Sequence, residues 1–230
     1  MPTIELQASA YETSRERIDV LARDLGDQAL AATVPCCPAW SVKDLVGHLT
    51  GLLEDRRDGR MPTAGFDEWT DQQVTRHRDE PIDAVLGTWL AISVEQSEAP
   101  PSLAALSFDV VTHEHDLCHA IGVRGDRDTA SVKVGADRAC QRMAGLLGEA
   151  DAPGVVLTTE DGEFLAGEPD GAIGLSTTRF AVMRLVTGRM SRRQAEQMSW
   201  DGDPAAVLDT LFADGFFTLQ PSDVVGAEAT

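Results

Sequence analysis

Two histidines and an aspartate carry the chemistry most open to this chain. Asp109 and His113 stand four residues apart in a segment from Leu103 to about Ile121, where Leu103, Leu106, Val110, Leu117 and Ile121 recur at helical spacing. At about 100° per residue, Asp109, His113, Asp116 and Ala120 form a stripe along the border of that apolar face. The same projection of a second segment puts His48 beside Leu45 and Leu52, again on a margin. Two facing helices would aim two neutral imidazoles and one carboxylate at one spot. That donor set suits zinc or another borderline divalent ion and leaves a coordination position open, as a catalytic site requires. Asp116 lies one turn further along the stripe. It is the candidate catalytic residue, placed either to orient a ligating histidine or to contact a bound ligand.

The plainer alternative is that each histidine is a hydrogen-bonded core residue, which is what a lone histidine at a helix margin usually is. Clustering weighs against it, since three of the five histidines are His113, His115 and His119. His115 and His119 form their own i, i+4 pair about 130 to 160° from the Asp109 stripe, on a face read as solvated or as an interface. His77 falls in a polar stretch and is read as surface.

The elements that must position these groups follow from periodicity and punctuation. A first helix is expected from Tyr11 to about Ala32, capped by Thr13 or Ser14. After Pro35-Cys36-Cys37-Pro38, Ser41 and Asp44 have capping-box spacing ahead of a helix from Val42 to Asp55. Residues 59–80 are polar and punctuated by Gly and Pro, which predicts a long loop covering a site. A third helix follows Pro81 and ends before Pro100-Pro101. A fourth spans Leu103 to Ile121 with Gly122 as its stop, and a fifth spans Ala130 to Leu147, closed by Gly148. Gly135 and Gly145 fall inside that fifth pattern, so neither belongs to a phosphate-cradling loop. Beyond Pro153 the texture changes. Val155–Thr159 and Phe164-Leu165 read as strands around an Asp161-Gly162 turn. Ser176–Thr187 reads as a helix closed by Gly188, Met198–Trp200 as a strand, and Asp203-Pro204 as the start of a last helix ending near Gly215. The expected fold is α+β: an up-down helical bundle over residues 1–150 and a small α/β domain over 151–230.

Composition narrows the partners. With 38 acidic against 19 basic residues and a net charge of -19, the chain repels phosphate backbones, and nucleic acid is not expected as a partner. No run of about 18 apolar residues is present to span a bilayer, and the N-terminus lacks a secretory layout. A cytoplasmic protein, monomeric or homodimeric, is expected. Cys36, Cys37, Cys118 and Cys140 make neither a disulfide framework nor a CxxC knuckle; they are read as reduced, structural thiols. Arg124-Gly125-Asp126 is read as a plain loop.

The segment Cys37-Pro38-Ala39-Trp40-Ser41-Val42-Lys43-Asp44-Leu45-Val46-Gly47-His48-Leu49 resembles the P-x-W-[ST]-V-x-D-L-x-x-H-L signature of the mycothiol-dependent maleylpyruvate isomerase family, within the DinB-like four-helix-bundle superfamily. Asp109 through Leu117 resembles that family's [ED]-x-x-x-H-x-x-D segment. Thr187-Gly188-Arg189 and Trp200-Asp201-Gly202-Asp203-Pro204 are similar to its second domain. The resemblance implies His48, Asp109 and His113 as metal ligands, zinc as the ion, mycothiol as thiol cosubstrate and a mycothiol-producing actinobacterial source. In the best-known members a glutamate stands where this chain has Asp109, and the shorter side chain draws a metal towards its helix or weakens its hold.

A divalent cation favours thiolate over thiol, giving a nucleophile for a small electrophilic substrate. Addition with release is transfer, and addition, rotation and elimination is isomerisation. A metal-dependent hydrolase and a non-catalytic small-molecule-binding or stress protein on the same fold are the competing readings. Arg179, Arg184, Arg189, Arg192 and Arg193 are the candidate cations for a substrate carboxylate, with surface charge balance as the plainer reading of each.

Overall fold

The computed structural model describes residues 2–62, 65–94, 101–150 and 152–226. It divides into two compact units, one of residues 2–125 and one of 126–230. The divide falls between Gly125 and Asp126, well before the change in texture near residue 151. The helix that starts at Ala130 therefore groups with the strands after it, because its apolar stripe is covered by elements of that second unit.

In the first unit the chain forms α1 (Ile4–Arg23), α2 (Asp27–Leu30), β1 (Thr33–Val34), β2 (Cys37–Ser41), α3 (Val42–Asp58), α4 (Phe66–His77), α5 (Ile82–Ala91) and α6 (Leu103–Ala120). The capping box starts α3 as expected. The Asp44 amide donates to Ser41 Oγ at 3.1 Å and the Ser41 amide donates to Asp44 Oδ2 at 3.0 Å. Gly59, at φ 66°, ends it.

α1 begins well before Tyr11, with Thr3 as its cap. Its first two turns bury only Ala8 and Ala10, residues too small to give a strong apolar period. It stops at Arg23, and Gly26 separates it from the single turn of α2. Two buried polar ties join α1 to α5. Arg15 Nη1 donates to the carbonyls of Trp89 and Ile92 at 3.1 and 2.9 Å, and Trp89 Nε1 donates to Tyr11 Oη at 2.9 Å.

The long loop expected over 59–80 is instead interrupted by α4. Its inward stripe is Trp69, Gln73, Val74 and His77, at helical spacing but half polar, so the hydrophobic period is hard to see. α4 packs on α3 across Gly47 and Gly51. A Cβ at Gly51 would lie 2.7 Å from Gln73 Cβ, and one at Gly47 would lie 3.3 Å from His77 Cβ, so the two helices approach where these side chains are absent. α5 follows Pro81 as expected and ends at Ala91; Pro100 lies outside the described residues.

α6 has the expected span and stop, with Gly122 at φ 72°. It is enclosed rather than two-faced: α1, α3 and β1 pack around it. His115 and His119 are buried rather than on a solvated face. The chain after α6 folds back over His115, where a Cβ at Gly125 would sit 2.7 Å from His115 Nδ1. β1 and β2 form a short antiparallel pair with an irregular register, in which Val34 faces Cys37 and Thr33 faces Ser41. The stretch read only as a breaker thus carries a small ribbon.

In the second unit lie α7 (Ala130–Gly148), β3 (Val155–Thr159), β4 (Gly162–Ala166), β5 (Ile173–Ser176), α8 (Arg179–Val186), α9 (Arg192–Glu196), β6 (Ser199–Asp201) and α10 (Ala205–Leu211). The sheet order is β4-β3-β5-β6, with β3 antiparallel to β4, parallel to β5, and β5 antiparallel to β6. The hairpin turn expected near Asp161-Gly162 is present, with Gly162 at φ 112°. Val155, Leu157 and Leu175 are buried, and α7 packs on α8, β4 and α10. The helix expected from Ser176 begins only at Arg179, because Ser176 pairs in β5 and Thr178 is the cap. Gly188, at φ 69°, closes it as expected. The last helix ends at Leu211, short of Gly215. The fold class is α+β, a helical N-terminal region and a small mixed α/β C-terminal part.

Candidate metal centre

His48 sits mid-way along α3, and Asp109 and His113 lie one turn apart on α6. The fold brings the three together. Their donor atoms lie within 4.8 Å of one another, with His48 Nε2 3.3 Å from Asp109 Oδ2 and His113 Nε2 3.5 Å from Asp109 Oδ1. The two imidazoles meet edge to face, 5.3 Å between ring centres. Both histidine side chains are almost wholly buried, at 5% and 6% exposure, whereas Asp109 is 31% exposed and marks the open side.

The far nitrogen of each ring is tethered. His48 Nδ1 lies 2.8 Å from Gln73 Oε1, and Gln73 Nε2 donates to Asp55 Oδ2 at 2.9 Å. His113 Nδ1 lies 3.1 Å from Asp116 Oδ2. An acceptor at Nδ1 places the proton there and leaves the Nε2 lone pair for the shared spot. Burial alone would raise the Asp55 carboxyl, but hydrogen bonds from Gln73, Arg60 and Arg76 outweigh it and hold the group below the usual carboxylate range.

The donor chemistry fits a divalent ion. Ligands held tetrahedrally at about 2.0–2.1 Å lie about 3.3 Å from one another, close to the separations between Asp109 and the two imidazoles. Two nitrogens and a carboxylate with a solvent-facing side leave room for one more ligand.

Asp116 is fully buried behind His113. Of the two roles left open for it, the contact with His113 Nδ1 matches the orienting one. Three residues near the site were not among the candidates drawn from the sequence. Trp40, on β2, lies against both rings, 4.8 Å from His48 and 5.8 Å from His113 between centroids. Cys37 has its Sγ within 4.8 Å of donor atoms of His113 and Asp116. Gln73 belongs to the helix that replaced the expected loop; the spacing of Trp69, Gln73, Val74 and His77 is the signal that points to it.

The remaining candidates lie elsewhere. His77 is buried rather than on the surface, with Nε2 3.1 Å from Glu54 and Nδ1 3.4 Å from Glu80. Arg184 and Arg189 are buried in the second unit, and Arg189 Nη1 donates to the Thr187 carbonyl. Arg179 pairs with Glu160 and Asp161, Arg192 with Glu196 and Asp209, and Arg193 with Asp223. The four cysteines are free thiols.

Residues 11–58 match the family model of the mycothiol maleylpyruvate isomerase N-terminal domain. The resemblance to the maleylpyruvate isomerase family is borne out. The matched stretch runs from α1 through α3 and includes His48. Two solved structures share the fold. The crystal structure of the mycothiol-dependent maleylpyruvate isomerase superposes with a TM-score of 0.54 at 15% identity, and that of one of its mutants with a TM-score of 0.56 at 12% identity. Each alignment covers 82% of this chain and 90% of the other. No curated protein sequence matches the chain. Among the described residues no helix is long and apolar enough to cross a membrane.

Proposed function

We propose that this chain is a metal-dependent enzyme that activates a low-molecular-weight thiol, mycothiol, for transfer to a small electrophilic substrate or for its isomerisation. The observation that carries the reading is the convergence of His48 Nε2, His113 Nε2 and the Asp109 carboxylate, with both Nδ1 atoms tied back by acceptors. A divalent ion such as zinc, bound there, supplies positive charge that stabilises a thiolate at neutral pH and so provides the nucleophile.

The chain's own residues account for the rest. His48 and His113 present neutral nitrogen donors from two different helices, so the site exists only when α3 and α6 are packed. Asp109 contributes the negative charge and, being the exposed donor, leaves the approach for thiol and substrate on its side. Gln73 and Asp116 hold the rings in one orientation, and Trp40 shields their faces from water. The matching N-terminal family model and the shared fold support mycothiol as the thiol.

The test is metal content. Protein purified without chelator or polyhistidine tag is expected to hold about one zinc per chain by elemental analysis, and His113→Ala is expected to lose it. Metal-loaded protein should then consume mycothiol or isomerise a maleylpyruvate-like electrophile only when thiol is added. Failure of the wild type to take up zinc when it is offered would overturn the reading.

A further inference from the structure

The network behind His48 is ordered in a way that simple packing does not require. Asp55 Oδ1 accepts from Arg60 Nε at 2.6 Å and Arg76 Nη2 at 2.8 Å, while Oδ2 accepts from Gln73 Nε2 at 2.9 Å. Gln73 is wholly buried and Asp55 is 1% exposed, so water is a poor substitute for any partner here. A primary amide has one donating and one accepting end. Turning the Gln73 amide over would put its oxygen 2.9 Å from the Asp55 carboxylate, acceptor against acceptor, with no proton between them.

We propose that Asp55 and Gln73 together set the tautomer of His48, so that its proton stays on Nδ1 and its Nε2 lone pair faces Asp109 and His113. The inference rests on the metal-centre reading for its purpose, but its mechanism is a property of the folded chain alone. Gln73 is a positioning residue, and Asp55 positions Gln73. Gly51 makes this possible, because a side chain there would push the Gln73 backbone away.

Asp55→Asn tests the relay by reversing it. The two arginines hold the Oδ1 end as an acceptor, so the new amide nitrogen stands where Oδ2 faced Gln73. Donor would then face donor, and Gln73 turns over to accept from it. The amide nitrogen of Gln73 is then aimed at His48 Nδ1, which must accept, and the ring proton moves to Nε2. In metal-free protein carrying Asp109→Ala, which removes the carboxylate 3.3 Å from Nε2 that would itself draw a proton there, 15N spectra at a pH well above the ordinary imidazole pKa of about 6.5 should show His48 switching from Nδ1–H to Nε2–H when Asp55→Asn is added. Zinc affinity, measured by chelator competition with Asp109 intact, should fall about 10- to 100-fold.

The double variant Asp55→Asn with Gln73→Glu is the rescue. The new carboxylate accepts both from the new amide and from Nδ1–H, so the original tautomer and most of the affinity should return. Gln73→Leu, which removes the acceptor, should leave both tautomers populated. An unchanged tautomer in Asp55→Asn, or no recovery in the double variant, would overturn the relay even where the wild type binds zinc. If the wild type binds no zinc, the metal-centre reading fails on its own, and the spectra still decide the relay.

Discussion

His77 and His113 are equally buried, at 3% and 4% exposure, and each lies beside carboxylates, yet their surroundings differ in kind. Both nitrogens of His77 face glutamates, Glu54 and Glu80. At His113 one nitrogen is held by Asp116, and the other looks across to Asp109 and to a second imidazole from another helix. The lesson is that burial and a nearby acid do not make a ligand. What sets His113 apart is the convergence of lone pairs from two elements on one spot, with the opposite nitrogens tethered.

The seam between α3 and α4 holds His77 and positions His48, the imidazole that His113 faces, and it offers the sharpest ways to break the comparison. The largest effect is expected from Gly51→Ala. Its Cβ would meet Gln73 Cβ at 2.7 Å and Gln73 Cα at 3.0 Å, so the helices must part. Thermal or denaturant unfolding should show a loss of about 1–3 kcal/mol, with zinc affinity lower by about tenfold through Gln73. Unchanged affinity would separate the seam from the site.

His77→Ala comes next. It removes a buried partner of two glutamates and should cost about 1–2 kcal/mol in denaturant melts, while zinc content stays at the wild-type value. A loss of zinc comparable to that of His113→Ala would erase the distinction drawn between the two histidines. The smallest effect, of opposite sign, is expected from Gly87→Ala on α5. Nothing lies within 4 Å of a Cβ there, and the helix gains about 0.5–1 kcal/mol from the better helix former. Stabilisation at Gly87 beside destabilisation at Gly51 would show that space, not helix propensity, governs the seam.

Much of this was legible before the structure. Ser41 and Asp44 announce α3, and the apolar period from Leu103 to Ile121 announces α6, so the helices that bear His48, Asp109 and His113 could be placed from pattern alone. The segment 66–77 could not, because Gln73 and His77 occupy half of its buried stripe and periodicity counts only apolar residues. Missing that helix meant missing Gln73. His115 and His119 were misplaced for a related reason: polar residues on a helix enclosed by α1, α3 and β1 look like a wet face until the neighbours are known. Trp40 and Cys37 reach the rings through a ribbon of two- and five-residue strands, too short to leave a period.

The polar stripe of α4 also bears on how the first unit breathes. Trp69 and Val74 are the two apolar side chains that α4 buries, whereas α3 buries Val42, Leu45, Val46, Leu49, Leu52 and Leu53. Regions with few buried apolar contacts open locally at a fraction of the global unfolding free energy. The excursion to consider is one in which α4 opens while α3 and α6 stay packed. In that excursion His48 keeps its place but loses Gln73, and its ring is free to turn. Control over the imidazole thus belongs to a layer held to α3 more by polar than by apolar contacts, and the lifetime of that contact sets how long the ring remains committed to a single orientation.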